Sequence, residues 1–250
     1  MAQRAALVTG ASYGVGAATA LALAQAGYDV AVTATRADNL RDTVAKLADT
    51  GARAVPLVLD LRSQDSIARA FGEALSALGR LDLLVNNGAV NLRRLALDVT
   101  PDEWDTVIET NARGTFFLTQ QAGRHWIARQ EPGCVVNVVS AHGLVGAAER
   151  STYGISKAAI VHMTKMLAVE WGGHGIRVNA VAPGRMQTDS PSRADKGADE
   201  DYMAAMLKRI PLHRLAAADE VAAAVCFLAS PAAAAITGQT LVLDGGLTAA

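Results

Sequence analysis

The sequence predicts an α/β fold, a single doubly wound domain with a seven-stranded parallel sheet and helices on both faces. Three observations predict it. Short β-rich runs alternate with longer helix-patterned runs almost to the end of the chain. Most of the short runs lack polar/apolar alternation, as parallel strands covered on both faces do. A glycine-rich turn joins the first strand run to the first helix run.

The first strand, Ala5–Thr9, leads into the turn Gly10 to Gly16 and a helix over 14–26. Strands follow at Val30–Thr33 and Ala54–Leu59, with a helix over 38–50 between them. A helix over 63–78 then precedes the strand Leu81–Asn86. The next helix, 102–130, has the clearest start: Thr100 is an N-cap, Pro101 takes the first helical position and Glu103 completes a capping box. Val135–Ser140, a helix over 152–171 and Arg177–Ala182 continue the alternation. Helices over 200–209 and 217–229 follow, Pro231 closes the second, and Thr240–Leu243 is the last strand. No Gly/Ser linker or repeat interrupts the series, so residues 1–250 read as one domain. Gln187–Pro211 stands apart, rich in Asp, Arg, Lys, Ser and Pro directly after Pro183-Gly184. It is expected to form a lid over the carboxyl ends of the strands, where ligands of such sheets bind.

Composition narrows the function classes. The chain is 51% hydrophobic and 19% charged, enough for a substantial core and unlike a disordered protein. Its net charge of −1 gives no electrostatic footprint for nucleic acid or an anionic membrane. Met1-Ala2-Gln3-Arg4 runs straight into an apolar strand, so no signal peptide is expected, and no apolar stretch approaches a membrane span. The two cysteines make no disulfide framework, and no Cys or His pairs stand at zinc-ligand spacing. A cytoplasmic protein without a metal site is expected.

The chemistry is carried by a few spacings. The Gly10-x-x-x-Gly14-x-Gly16 turn sits between a strand and a helix, the context of a Rossmann-type dinucleotide site. Its glycines permit a tight turn and close backbone approach to pyrophosphate, and the helix N-terminus supplies N–H groups and partial positive charge. At the end of the second strand an acidic residue would bind the ribose 2′-hydroxyl of NAD, whereas a basic one accommodates the 2′-phosphate of NADP. The chain there reads Thr33-Ala34-Thr35-Arg36, with no carboxylate before Asp38. Thr35 and Arg36 therefore favour NADP(H), with NAD(H) as the alternative. Farther on, Lys157 lies four residues after Tyr153, on the same helix face, and Ser140 lies thirteen before it. A phenol titrates near 10, so proton transfer near neutrality asks for a nearby cation such as this lysine.

These markers together resemble the short-chain dehydrogenase/reductase family, in its subgroup of about 250 residues, over essentially the whole chain. Thr9-Gly10-x-x-x-Gly14-x-Gly16, Asp60, Asn86-Asn87-Gly88-Ala89, Asn111, Ser140, Tyr153-x-x-x-Lys157, Asn179 and Pro183-Gly184 recur in the family's order. The resemblance implies an oxidoreductase moving a hydride between nicotinamide and a secondary alcohol or ketone. Tyr153 would be the acid/base, Lys157 its tuning cation and ribose ligand, Ser140 the group that orients the substrate oxygen, and Asn111 the anchor of a proton relay. Cofactor contacts would come from Gly10, Ser12, Tyr13, Gly14, Val15, Gly16, Thr35, Arg36, Asp60, Leu61, Asn87, Gly88, Ala89, Tyr153, Lys157, Pro183, Gly184 and Thr188. Ser140, His142 and Tyr153 would meet the substrate. Two departures stand out: Gly88-Ala89 transposes the family's more usual Ala-Gly, and Tyr13 replaces the Arg or Lys of many NADP-preferring relatives.

Asn91, Arg93, Arg94, Arg150 and Arg185 could contact an acidic or hydroxylated substrate. A non-catalytic dinucleotide-binding scaffold is the rival from another class, and the presence of serine, tyrosine and lysine together argues against it. Apolar residues on more than one face of helices 102–130 and 152–171 predict pairing with symmetry copies, and the resemblance implies a homotetramer.

Overall fold

The computed structural model describes residues 3–186 and 200–249. Seven parallel strands form one sheet: β1 Arg4–Val8, β2 Tyr28–Ala34, β3 Ala54–Val58, β4 Leu83–Asn86, β5 Gly133–Val138, β6 Ile176–Pro183 and β7 Thr240–Leu243. Their order is β3-β2-β1-β4-β5-β6-β7. Successive side chains enter opposite cores. Ala6, Val8, Val30 and Val32 pack on one face, while Leu7 and Ala31 pack on the other. That two-sided burial explains why these runs read as continuous apolar stretches.

The helices are α1 Gly14–Gln25, α2 Arg41–Ala48, α3 Gln64–Leu78, α4 Pro101–Ile108, α5 Thr115–Arg129, α6 Ser151–Trp171, α7 Glu200–Lys208 and α8 Ala218–Ala229. Helices α1 and α8 pack together over one face, and Leu23, Val221, Val225 and Leu228 join that core. Phe71 of α3, Leu118 and Trp126 of α5 and Leu167 of α6 fill the other. Trp126 is fully buried, and its Nε1 donates to Leu81 O at 2.6 Å, which satisfies its one polar atom.

Several boundaries differ from expectation. The helix expected over 102–130 is interrupted: a π-helical turn, Glu109–Gly114, separates α4 from α5. A Cβ on Gly114 would lie 2.2 Å from Leu61 O, so the chain passes Leu61 there at backbone distance. The wide turn carries Asn111 at that crossing. The helix expected from 38 opens instead as a 3-10 turn, Ala37–Leu40. Strand β5 covers Gly133–Val138, not Val135–Ser140, so Ser140 stands two residues beyond it in extended backbone. Strand β2 starts at Tyr28, and β6 includes Pro183. Of the expected lid, residues 187–199 lie outside the described residues; α7 and the segment to Pro211 are described.

Strand β1 lies between β2 and β4, where the winding of the sheet reverses. In sheets of this kind ligands bind outside the carboxyl ends of the strands at such a reversal, here those of β1 and β4. Among the described residues no helix is long and apolar enough to cross a membrane, and no group of three His, Cys, Asp or Glu could hold a metal ion. Both cysteines are reduced, and burial pushes the Cys134 thiol up to about 11.

Candidate active site

The glycine turn is locked from behind. Asn87 Nδ2 donates to Thr9 O at 3.0 Å and to Gly10 O at 2.8 Å. The Thr9 hydroxyl accepts the Asn87 and Gly88 N–H groups at 3.0 and 2.9 Å. Gly10 has φ +64°, and a Cβ there would lie 2.6 Å from Gly88 Cα. One on Gly16 would lie 2.3 Å from Gly10 O. Gly14 differs: its φ is +57°, yet nothing lies within 4 Å of a Cβ built there. Helix α1 begins at that residue with no side-chain cap on its first N–H groups. A turn braced behind, open in front and ending on an uncapped helix fits a pyrophosphate. Ser12 and Val15 are half-buried in this turn and Tyr13 is exposed.

The transposed pair has a local reason. A Cβ on Gly88 would meet Leu61 Cδ1 at 3.2 Å and Thr9 Oγ1 at 3.3 Å, whereas Ala89 is exposed. The glycine stands at the crowded position.

Tyr153 and Lys157 stand side by side, and Ser140 opens the turn that packs against their helix. Tyr153 and Lys157, on the first turns of α6, are 8% and 3% exposed. Lys157 Nζ donates to Val138 O at 2.9 Å and stands 5.7 Å from the centre of the Tyr153 ring. The Ser140 hydroxyl accepts the His142 N–H at 3.2 Å, and the His142 ring meets Tyr153 edge to face at 6.3 Å. Two glycines let this turn lie against α6. A Cβ on Gly154 would be 2.8 Å from His142 O, and one on Gly143 would be 2.9 Å from the Lys157 carbonyl carbon. Asn111 is 1% exposed and its amide is engaged at both ends. Oδ1 accepts the Val90 N–H at 2.8 Å, and Nδ2 donates to Val90 O at 2.9 Å and Ser156 Oγ at 3.0 Å. Ser156 in turn donates to Tyr153 O at 2.7 Å. Asn111 thereby ties the loop after β4 to the helix that carries Tyr153 and Lys157.

A family model described as enoyl-(acyl carrier protein) reductase, one of those for short-chain alcohol dehydrogenases, matches residues 10–248. The chain belongs to the short-chain dehydrogenase/reductase family. It is 41% identical over 249 residues to the cis-4-hydroxycyclohexanecarboxylate dehydrogenase of Sinomonas cyclohexanicum, covering 99% of this chain and 98% of that one. A solved structure described as a short-chain alcohol dehydrogenase from Sinorhizobium meliloti 1021 superposes with a TM-score of 0.95 at 41% identity, covering 100% of this chain and 98% of the other. An actinorhodin polyketide ketoreductase solved with NADPH superposes at 0.92 with 33% identity, over 98% and 97% of the two chains. This short-chain dehydrogenase/reductase is therefore a nicotinamide-dependent enzyme acting on CH–OH or C=O groups.

Within this dehydrogenase the remaining residues differ in exposure. Thr35 and Arg36 are exposed just past β2. Asp38, the nearest carboxylate after them, is held by Arg41 at 2.6 Å. Asp60 follows β3, exposed, with Oδ1 accepting the Arg62 N–H at 2.9 Å, and Leu61 beside it is buried. Three arginines fasten the loop after β4: Arg93 to Glu149, Arg94 to Glu103 of α4, and Arg150 to Asn91 Oδ1 at 2.7 Å. Asn179 serves the sheet, its amide bridging Ile236 O and the Gln239 N–H. Pro183 ends β6 and Gly184 follows it, and Thr188 lies outside the described residues. Three contributors escaped the sequence reading: the Thr9 hydroxyl, Ser156 and Asp244. Only Asp244, followed by two glycines after the last strand, carried a local signal, that of a side chain that binds its own turn.

Proposed function

We propose that the enzyme is an NADP(H)-preferring oxidoreductase of secondary alcohols and ketones, acting in the cytoplasm as a homotetramer. The observation that carries the cofactor preference is the end of β2. Arg36 makes no side-chain hydrogen bond or ion pair among the described residues, while Asp38 is occupied by Arg41. A guanidinium at that position suits a 2′-phosphate and no carboxylate competes for a ribose hydroxyl. The ketoreductase solved with NADPH supports the same preference.

When bound, the nicotinamide supplies or accepts the hydride at the carbinol carbon. Residues of this chain do the rest. Tyr153 Oη gives its proton to the carbonyl oxygen in reduction and takes it back in oxidation. The buried Lys157 side chain, anchored on Val138 O beside the Tyr153 ring, would hold the nicotinamide ribose. Ser140 Oγ binds the same substrate oxygen, and its bond from His142 N–H fixes its direction. Asn111 serves the proton relay through its backbone, because its side-chain amide is already committed. The N–H groups at the start of α1 would hold the phosphates, Asp60 and Leu61 would flank the adenine, and Gly88–Ala89 and Pro183–Gly184 would line the nicotinamide side.

Initial rates with NADPH and NADH on a panel of small ketones, including 4-oxocyclohexanecarboxylate, test the reading. A kcat/KM at least tenfold higher with NADPH is expected. A preference for NADH across the panel overturns it.

A further inference from the structure

The turn that follows β7 is built around a buried carboxylate and touches the chain at two separate places beside the site. Asp244 is 7% exposed. Its Oδ1 accepts the Gly246 N–H and its Oδ2 the Thr248 N–H, both at 2.8 Å. Gly245 and Gly246 adopt φ of +68° and +93°, so the backbone closes round the carboxylate in a form other residues adopt only under strain. On one side the turn backs onto Gly184. Gly184 N–H donates to Leu243 O at 2.9 Å, and a Cβ on Gly184 would lie 2.7 Å from Asp244 Cβ. On the other side it backs onto Ile210–Leu212. Leu212 N–H donates to Gly245 O at 3.0 Å. A Cβ on Gly245 would lie 2.5 Å from Ile210 Cγ2, and one on Gly246 would lie 3.0 Å from Pro211 Cγ.

A carboxylate removed from water is costly unless its lone pairs are filled, and here the backbone N–H groups of its own turn fill them. With the carboxylate gone, those N–H groups lose their acceptors and the turn its reason to close. Gly184 and Ile210–Leu212 would then lose the surface they rest on.

We propose that Asp244 is a positioning residue for the reaction: by closing the turn over 244–248 it fixes Pro183–Gly184 and Ile210–Leu212 against each other at the nicotinamide end of the cleft. The inference rests on the functional reading above, in which Pro183–Gly184 lines the nicotinamide. Asp244 reaches the reacting atoms only through that backbone. The contacts of the turn at Gly184 and Ile210–Leu212 lie on β6 and after α7, whereas the adenosine end would be built on β1, β2 and β3.

The test separates the two ends. Full-length parent, Asp244→Asn and Asp244→Ala are assayed for ketone reduction and for binding of NADP+ and of 2′,5′-ADP, which lacks the nicotinamide half. Displacement of a positioning element by about 1 Å costs on the order of a hundredfold. Asp244→Ala is therefore expected to lose about tenfold to a hundredfold in kcat and several-fold in NADP+ affinity, with 2′,5′-ADP affinity within about twofold of the parent. Asp244→Asn keeps one acceptor and should fall between the two. Parent kinetics in both variants, with only a lower melting temperature, would reduce Asp244 to a stability role and overturn the proposal. Parallel loss of 2′,5′-ADP binding would overturn it too. Should Asp244→Ala not fold, Asp244→Asn and Gly245→Ala, which crowds Ile210, decide by the same readouts. A parent that binds NADP+ and 2′,5′-ADP but turns over no alcohol or ketone defeats the functional reading instead, while the NADP+ comparison still judges Asp244.

Discussion

Tyr153→Phe is expected to lower turnover at least a hundredfold while NADP+ binding stays within a few-fold of the parent, because only the proton donor is removed. Stopped-flow reduction and calorimetry check it, and a variant within tenfold of the parent rate would contradict the assignment. Arg36→Ala should raise the KM for NADPH about ten- to a hundredfold and leave that for NADH nearly unchanged, as a charge-assisted contact is worth about 1.5–3 kcal/mol. Equal effects on both cofactors would sink that assignment. These residues were legible in the sequence because their chemistry depends on spacing along one helix or one turn. Tyr153 and Lys157 needed only a helical period to meet. Asn87 and Asn111 were legible as markers but not in what they do. Their amides bind backbone 77 and 21 residues away, and no local pattern encodes such a partner.

Among the elements, α4 was the most legible because its start is written in three adjacent signals. The Thr100 hydroxyl accepts the Glu103 N–H at 3.3 Å, and Glu103 Oε2 accepts the Thr100 N–H at 3.0 Å. That second bond, with Arg94, holds the Glu103 carboxyl below its ordinary range. Thr100→Ala should cost about 1 kcal/mol, read by chemical denaturation, and no change in midpoint would show the cap to be idle. The π turn inside the expected helix was invisible, because it answers to the close passage of Gly114 over Leu61 and not to local propensity. Helix α5 also carries a pH-sensitive residue. His125 meets Phe71 of α3 edge to face at 6.2 Å, and its Nε2 is buried without a hydrogen-bond partner among the described residues. Burial, then the Arg129 charge, lowers its pKa from 6.5, and Glu131 opposes them. The folded state thus prefers the neutral ring. Its contribution is complete above about 6.5 and is lost as pH falls below that value, levelling off below the folded pKa. The melting temperature of the parent should therefore fall more between pH 7.5 and 5.5 than that of His125→Phe. Identical slopes would exclude the effect.

At the scale of the whole molecule, a groove of about 460 Å³ runs between α5 and α6, lined by Phe116, Ile127, Met163, Met166 and Trp171. Phe116 and Met166 are exposed in the isolated chain, as are Ile155 and Val169 on α6. The edge strand β7 likewise exposes Leu241 and Val242. Two such surfaces on one chain suit the proposed tetramer. Light scattering at micromolar concentration should return about four chain masses, and a monodisperse 25.9 kDa would refute it. The strand order has a consequence for synthesis. Once β4 has joined β1, each later strand docks on the edge left by the one before it: β5 on β4, β6 on β5, β7 on β6. A nascent chain emerging from the ribosome can thus assemble the sheet without waiting for a distant partner. The phosphate turn, with its Asn87 lock, is made well before the Asp244 turn. On this order of assembly, the surface proposed for the nucleotide phosphates forms before the turn proposed to position the nicotinamide end.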